Sequence, residues 1–358
     1  MINVTQTFFP PKEEYEQQLQ RVWDNQWLTN RGELVRELEG KLQNFLSSEP
    51  KPTLTANGTL PLQMALKKLA KNGEVITTPF SYVATTSSIV WQDCTPVFVD
   101  IHPNYLTIDE TKIEEAITEK TTAILATHVY GNPCAVEEIQ RIADKNNLKV
   151  IYDAAHCFGV SYKGKSIFDF GDVSTCSFHA TKLFHTGEGG AMFCKNKDLA
   201  RELFLAHNFG HDGRSNFTGV GINAKMSELH AAMGLSVLPY MKMILENRKK
   251  AVRFYRENLN FDRFSALKIR EGTEWNFSYY PIVFETEKDL LRTQKQLNAA
   301  DIFPRRYFYP PLHQLNYVSS PEMPVAESIS PRVLCLPLAH NLTEKQLKKI
   351  TSTVNKSL

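Results

Sequence analysis

The sequence predicts an α/β fold. A mostly parallel sheet forms a large first domain, residues 1–239 with their N-terminal segment, and a smaller α+β domain follows over residues 240–358. Three observations carry this. From Leu54 onward, short β-branched runs alternate with longer amphipathic stretches, the pattern of strands crossed over by helices. The alternation ends in one long helical pattern at Met226–Leu259, after which the chain changes character. A length of 358 residues also exceeds the roughly 250–300 at which a single core stops growing.

Taken in order, strands are expected at Glu74–Thr78, Pro96–Asp100, Thr122–Thr127, Lys149–Asp153, Asp172–Ser177 and Gly190–Cys194. These short runs are rich in Val, Ile, Thr and Phe, as suits strands buried on both faces. Helices are expected in the gaps, at Thr59–Ala70, Tyr82–Trp91, Thr111–Ile117 and Val136–Asn146, and again at Asp198–Phe209 after the last strand. Beyond Leu259, residues 275–284 (WNFSYYPIVF) read as strand, Asp289–Ala300 as helix and Thr343–Leu358 as a closing amphipathic helix. A Pro- and aromatic-rich loop lies around Tyr307–Tyr317. The long helix joins the two domains in place of a flexible tether.

With 42% hydrophobic and 22% charged residues, the composition is that of a soluble globular protein. A formal charge of +2 offers no footing for nucleic acid. No apolar run approaches the ~20 residues a membrane helix needs, and the opening MINVTQTFFPPKEEYEQ has neither the basic end nor the apolar centre of a signal peptide. A cytoplasmic location is expected. Six cysteines (Cys94, Cys134, Cys157, Cys176, Cys194, Cys335) are scattered without a CxxC pair and read as buried reduced thiols, with no metal site.

The chemistry concentrates in VIYDAAH (Val150–His156) and DVSTCSFHATKLFHTGEGGAMF (Asp172–Phe193). Asp153 ends a strand, where open α/β sheets place ligands, and Lys182 follows another strand beside Gly187, Gly189 and Gly190. An acid and a lysine at one sheet edge are what pyridoxal-phosphate chemistry requires: the carboxylate keeps the pyridine nitrogen protonated, and the lysine forms the imine and moves protons. Alone, the pair also fits a strand-end acid and a surface lysine. The run NGTLPLQMAL (Asn57–Leu66) passes from a strand end through a Gly-Thr turn into a helix, so free N–H groups could face an anion there; an ordinary N-capped helix fits equally. Tyr82 could stack on a cofactor ring or simply pack in the core.

The ordered series NGT, TTPFSYVAT, PVFVDI, YDAAH, SFHATK with GEGG, GINAKMSELHAAMG, YPPLHQ and VLCLPLAHNLTEKQ resembles the DegT family of sugar aminotransferases over essentially the whole chain. That resemblance implies a fold-type I pyridoxal-phosphate enzyme. It implies that Lys182 is the Schiff-base lysine and Asp153 the pyridinium partner, that His156 contacts the phenolic oxygen, that Tyr82 stacks on the ring, and that Gly58, Thr59 and Ser177 contact the phosphate. Asn223 matches an Asn offered to the phosphate of a neighbouring subunit, which implies a homodimer with shared sites. Lys225 stands where the family pattern has Arg, keeping the cation but losing the planar fork. His185, Glu188, Tyr309 and His313 are candidate substrate contacts.

The activity implied is ping-pong transamination from L-glutamate to a nucleotide-linked keto sugar, most specifically a dTDP-4-keto-6-deoxyglucose aminated at C-4, for bacterial surface polysaccharide. His156 in DAAH and the wording TTPFSYVATTS, HVYGNPC and YDAAHCFG point to C-4 over C-3, and to the glucose-configured product over the galactose-configured one. A 3-dehydratase of the same family would carry His in place of Lys182. A sensor of this fold without turnover is the alternative of another class.

Overall fold

The computed structural model describes residues 1–357. Its centre is a seven-stranded sheet in the order Thr53–Thr55, Gly190–Phe193, Val173–Ser177, Lys149–Asp153, Thr121–Thr127, Glu74–Thr77, Thr95–Phe98. Gly190–Phe193 is antiparallel to both its neighbours, and every other pairing is parallel. The six strands expected from the sequence are all present, Lys149–Asp153 with the same bounds. Register decides where they end. Thr127 pairs with Asp153, which pairs with Thr175, so three central strands present their carboxyl ends at one level. That edge is the crevice a parallel sheet leaves open.

Helices of the expected kind cover the sheet at Thr59–Leu69, Val83–Trp91, Val136–Asn146 and Lys197–Ala206. Thr111–Ile117 differs, forming two 3₁₀ turns, Glu110–Lys112 and Glu114–Ala116. Asp109 draws the Thr111 N–H and hydroxyl to its carboxylate, 3.2 and 2.7 Å, and so short a segment does not recover the cost of α-helix nucleation. The long pattern Met226–Leu259 also divides. Helices Glu228–Val237 and Met241–Asn258 flank a 3₁₀ turn at Leu238–Tyr240, where Pro239 has no N–H to give the ladder. Helices Lys12–Asn25 and Glu33–Leu46 precede the expected elements.

The strand read at 275–284 is confined to Tyr280–Phe284, central in a three-stranded antiparallel sheet with Phe264–Ala266 and Val333–Leu336. The buried Arg248 guanidinium takes the carbonyls of Phe277 and Ser278, 2.9 and 2.5 Å, which removes them from strand pairing. The helix Met241–Asn258 serves two cores: Met241 and Ile244 pack under the large sheet, Ala251, Val252 and Tyr255 under the small one. The amino end joins the second core, since Ile2–Asn3 pairs with Ile302–Phe303. The closing helix spans Glu344–Lys356; Leu358, the last residue expected in it, lies outside the described residues. Among the described residues no helix is long and apolar enough to cross a membrane.

Candidate active site

Asp153 lies at the end of its strand, 5% exposed. Its Oδ1 accepts the Ala155 N–H at 3.1 Å and its Oδ2 the Thr85 hydroxyl at 2.8 Å. Behind Thr85, contacts to Ser81 (2.7 Å) and from Thr127 to Ser81 (3.0 Å) continue the chain, so three hydroxyls donate in series towards the carboxylate. Burial raises the Asp153 pKa, while Thr85, Ala155 and the charge of Lys182 act to lower it.

Lys182 sits in a loop folded back on itself. Phe178 N–H donates to Gly189, Thr186 N–H to Phe178, Ala180 N–H to Gly187 and Lys182 N–H to His179, each at 2.8–2.9 Å. Burial pulls the Lys182 pKa down, opposed by Asp153 and assisted by the positive charge of Arg305. Lysine and aspartate line one cavity of about 270 Å³, together with Gly58, Thr59, Tyr82, His156 and Ser177.

At one end of this cavity the Asn57–Thr59 turn presses against the strand ends. A Cβ on Gly58 would stand 2.7 Å from Ser177 Cβ, and one on Gly190 would stand 2.6 Å from the Asn57 carbonyl carbon. Only glycine permits so close an approach. Of the two readings that the sequence left equal here, the helix Thr59–Leu69 takes the capped one: Asn57 Oδ1 accepts the N–H groups of Thr59 and Leu60 at 2.9 and 3.0 Å. An anion here would therefore meet the Gly58 amide and the Thr59 and Ser177 hydroxyls.

Tyr130 N–H donates to His156 Nδ1 at 3.1 Å, which places the imidazole proton on Nε2. The ring lies parallel to Phe308, 5.8 Å between centroids, and burial holds its pKa well below the usual histidine range, so His156 is a neutral donor. Tyr82, the residue before the helix Val83–Trp91, is 53% exposed and flanks the cavity.

The substrate candidates divide. Glu188 lines the cavity, 3.5 Å from His179 Nε2. His185 does not: its Nε2 bonds the Phe8 carbonyl at 2.6 Å and its Nδ1 accepts the Gly187 N–H at 3.3 Å, so the ring ties the lysine loop to the N-terminal segment. His313 is buried against Glu327 at 2.8 Å, and Tyr309 lies under the Arg306 guanidinium; neither lines the cavity. Asn223 is exposed outside it, and Lys225 Nζ donates to Asn223 Oδ1 and Asn208 Oδ1, each at 2.7 Å. Sequence reasoning missed Tyr279, Arg305, Tyr307 and Phe308, which close the cavity from the far side. The aromatic run before YPPLHQ is a signal for Tyr307 and Phe308 alone.

A family model described as the DegT/DnrJ/EryC1/StrS aminotransferase family matches residues 11–355. The chain is 44% identical over 360 residues to a dTDP-4-amino-4,6-dideoxy-D-glucose transaminase of Shigella dysenteriae, covering 99% of this chain and 98% of that one. It is 40% identical over 362 residues to a protein of the same name from Escherichia coli, covering 98% and 97%. A solved structure of DesI in the presence of its TDP-sugar product superposes with a TM-score of 0.93 at 29% identity, covering 99% of this chain and 92% of that one.

Proposed function

Because the chain belongs to the DegT/DnrJ/EryC1/StrS aminotransferase family, we propose that it transfers the amino group of L-glutamate to C-4 of dTDP-4-keto-6-deoxy-D-glucose, giving dTDP-4-amino-4,6-dideoxy-D-glucose and 2-oxoglutarate. It is a fold-type I aminotransferase that works with pyridoxal phosphate on a nucleotide-linked sugar. The observation that carries the finer reading is a lysine and a buried aspartate sharing one cavity in a chain 44% identical to a protein named for that product.

The residues fit the cofactor. A buried carboxylate shares the cavity with Lys182 and would partner a pyridinium there, and the turn at Gly58, drawn close against Ser177, would cradle a phosphate. When bound, pyridoxal phosphate supplies a carbonyl that accepts amino groups and a ring that withdraws electrons from the carbon losing its proton. Asp153 would keep the ring nitrogen protonated, with the Thr85–Ser81–Thr127 hydroxyls holding the carboxylate in place. Gly58, Thr59 and Ser177 would hold the phosphate, Tyr82 would cover one face of the ring, and His156 would donate through Nε2 to the phenolic oxygen. Lys182 would hold the group through its amine and would take and return the substrate proton at Nζ. That role needs a neutral amine, which burial favours.

The working unit in this reading is a homodimer. Asn223 is exposed and does not line its own cavity, and the loop that carries it exposes Phe209, Phe217, Val220 and Ile222. Asn223 would then serve the phosphate of the partner's site. Inactive Lys182→Ala subunits mixed with inactive Asn223→Ala subunits should regain activity in verified heterodimers, and failure to do so would remove the shared-site idea. Six unpaired cysteines fit a reducing compartment, and the cytoplasm is the location proposed.

The test is incubation of enzyme and L-glutamate with dTDP-4-keto-6-deoxyglucose, its 3-keto isomer and a GDP-linked 4-keto sugar, with products identified by mass and NMR. An equatorial amine at C-4 of the dTDP sugar is expected. Turnover of the 3-keto isomer alone would sink the C-4 assignment, and an axial amine the glucose configuration.

A further inference from the structure

We propose that Arg305 binds the amino donor, its guanidinium taking a carboxylate of that donor inside the cavity that holds Lys182. The inference rests on the transaminase reading above and adds to it the residue that recognises the first substrate.

The charged side chains lining the cavity include Asp153, Lys182, Glu188 and Arg305. Neighbouring arginines are already committed. Arg306 pairs with Glu287 at 2.6 Å and donates to the Pro331 carbonyl at 2.9 Å. Arg270 faces Glu110 and the Pro133 carbonyl, and Arg248 is held by the carbonyls of Phe277, Ser278 and Leu338. The Arg305 guanidinium has no carboxylate and no hydrogen-bond acceptor among the described residues; it lies over the Tyr307 ring, 4.4 Å from the centroid.

Its mounting is nevertheless rigid. Arg305 N–H donates to the Cys335 carbonyl at 3.1 Å and Cys335 N–H returns the bond at 2.8 Å, and Cys335 belongs to the wholly buried strand Val333–Leu336. Although Arg305 is exposed overall, its side chain lines the reaction cavity, and an uncommitted planar fork on a fixed backbone matches a carboxylate in shape and charge.

The position favours the donor over the nucleotide. Arg305 shares the cavity lining with Lys182, and the Tyr307 ring beneath it meets Tyr279, which in turn meets His156 at 4.9 Å, so the guanidinium stands on the side of the cavity where His156 lies. A donor carboxylate is attached to the very carbon that loses its proton. The diphosphate of a sugar nucleotide is separated from its reacting carbon by the sugar ring, and a keto group there carries no charge.

The test compares wild-type holoenzyme with Arg305→Met, which keeps the stem, and Arg305→Lys, which keeps the charge. Binding of glutarate, a dicarboxylate without an amine, and of dTDP is measured by calorimetry, alongside KM for L-glutamate and for the sugar nucleotide. In Arg305→Met, glutarate affinity should fall and glutamate KM should rise by about 10-fold or more, the worth of one hydrogen bond to a charged group. The dTDP affinity should stay within about threefold, and Arg305→Lys should fall between. Loss of dTDP with glutarate unchanged would assign the arginine to the diphosphate and overturn the proposal, as would no change in either. If both weaken in Arg305→Met, selective recovery of glutarate binding in Arg305→Lys supports it, and any other pattern overturns it. A wild type that binds glutarate through Arg305 yet aminates no keto sugar would leave this assignment standing while the sugar reading fails.

Discussion

Replacing Thr85 by Val removes one hydroxyl at nearly constant volume and cuts the relay Thr127–Ser81–Thr85–Asp153 at its last link. The lost bond is 2.8 Å long and ends on a buried carboxylate. A hydrogen bond to a charged group contributes about 1.5–3 kcal/mol, and Ser81 loses the partner 2.7 Å away as well. Cofactor-free Thr85→Val should therefore unfold in urea with its stability reduced by about 2 kcal/mol at pH 8 and its m-value unchanged.

The pH dependence has a definite sign. Burial raises the Asp153 pKa and Thr85 lowers it, so the Thr85 contribution is full when Asp153 is ionised and fades as pH falls through its folded pKa. The penalty should shrink in acid. In an Asp153→Asn background the same substitution removes only a neutral hydrogen bond, so a double-mutant cycle should give a coupling of about 1 kcal/mol or more. A coupling within about 0.3 kcal/mol of zero would refute the view that this relay holds the carboxylate in its charged form.

Borohydride should fix the cofactor to Lys182, and Lys182→Ala should lose that linkage together with turnover; peptide mapping that finds another labelled lysine overturns the assignment. His128 and His207 are buried with pKa values held down to about 3 and about 4, so below pH ~6.5 the unfolded chain binds protons that the folded one refuses. Stability should fall by about 2 kcal/mol for each between pH 7 and pH 5, and Gln at either position should flatten that slope in urea titrations. Arg248→Met would strand three backbone carbonyls and should lower stability by about 3 kcal/mol or more, and a loss under about 1 kcal/mol would show that water replaces the guanidinium.

The central strands were legible because each is buried on both faces and so reads as an unbroken apolar run, as Val150–Tyr152 does before Asp153. The helix break was marked in the sequence by Pro239, but the apolar spacing on either side conceals it. Strand bounds near residue 277 could not be read, because they depend on Arg248, an arginine almost thirty positions earlier that claims the carbonyls. In the site, Asp153, Lys182 and the Gly58 turn announce themselves through local residue types. Arg305 and Tyr279 do not, since they reach the cavity through tertiary packing: Tyr279 packs in a cluster with Tyr130 and Phe308, and Arg305 pairs with Cys335 of the strand Val333–Leu336. His185 misled for the opposite reason. A polar ring three residues from a reactive lysine resembles a site residue, and only the fold shows it turned towards Phe8.

That same contact gives the amino-terminal segment an unusual reach. Thr7 donates to the Ala180 carbonyl at 2.8 Å, Phe8 meets His185, Val4 accepts the Leu338 N–H at 3.0 Å, and Ile2–Asn3 pairs with Ile302–Phe303. Eight residues thus stitch the loop bearing the reactive amine to the far lobe of the molecule. For protein engineering, the amino end is a poor site for cargo even though Met1 is exposed: a fusion that tugs on this seam pulls directly on the neighbours of Lys182.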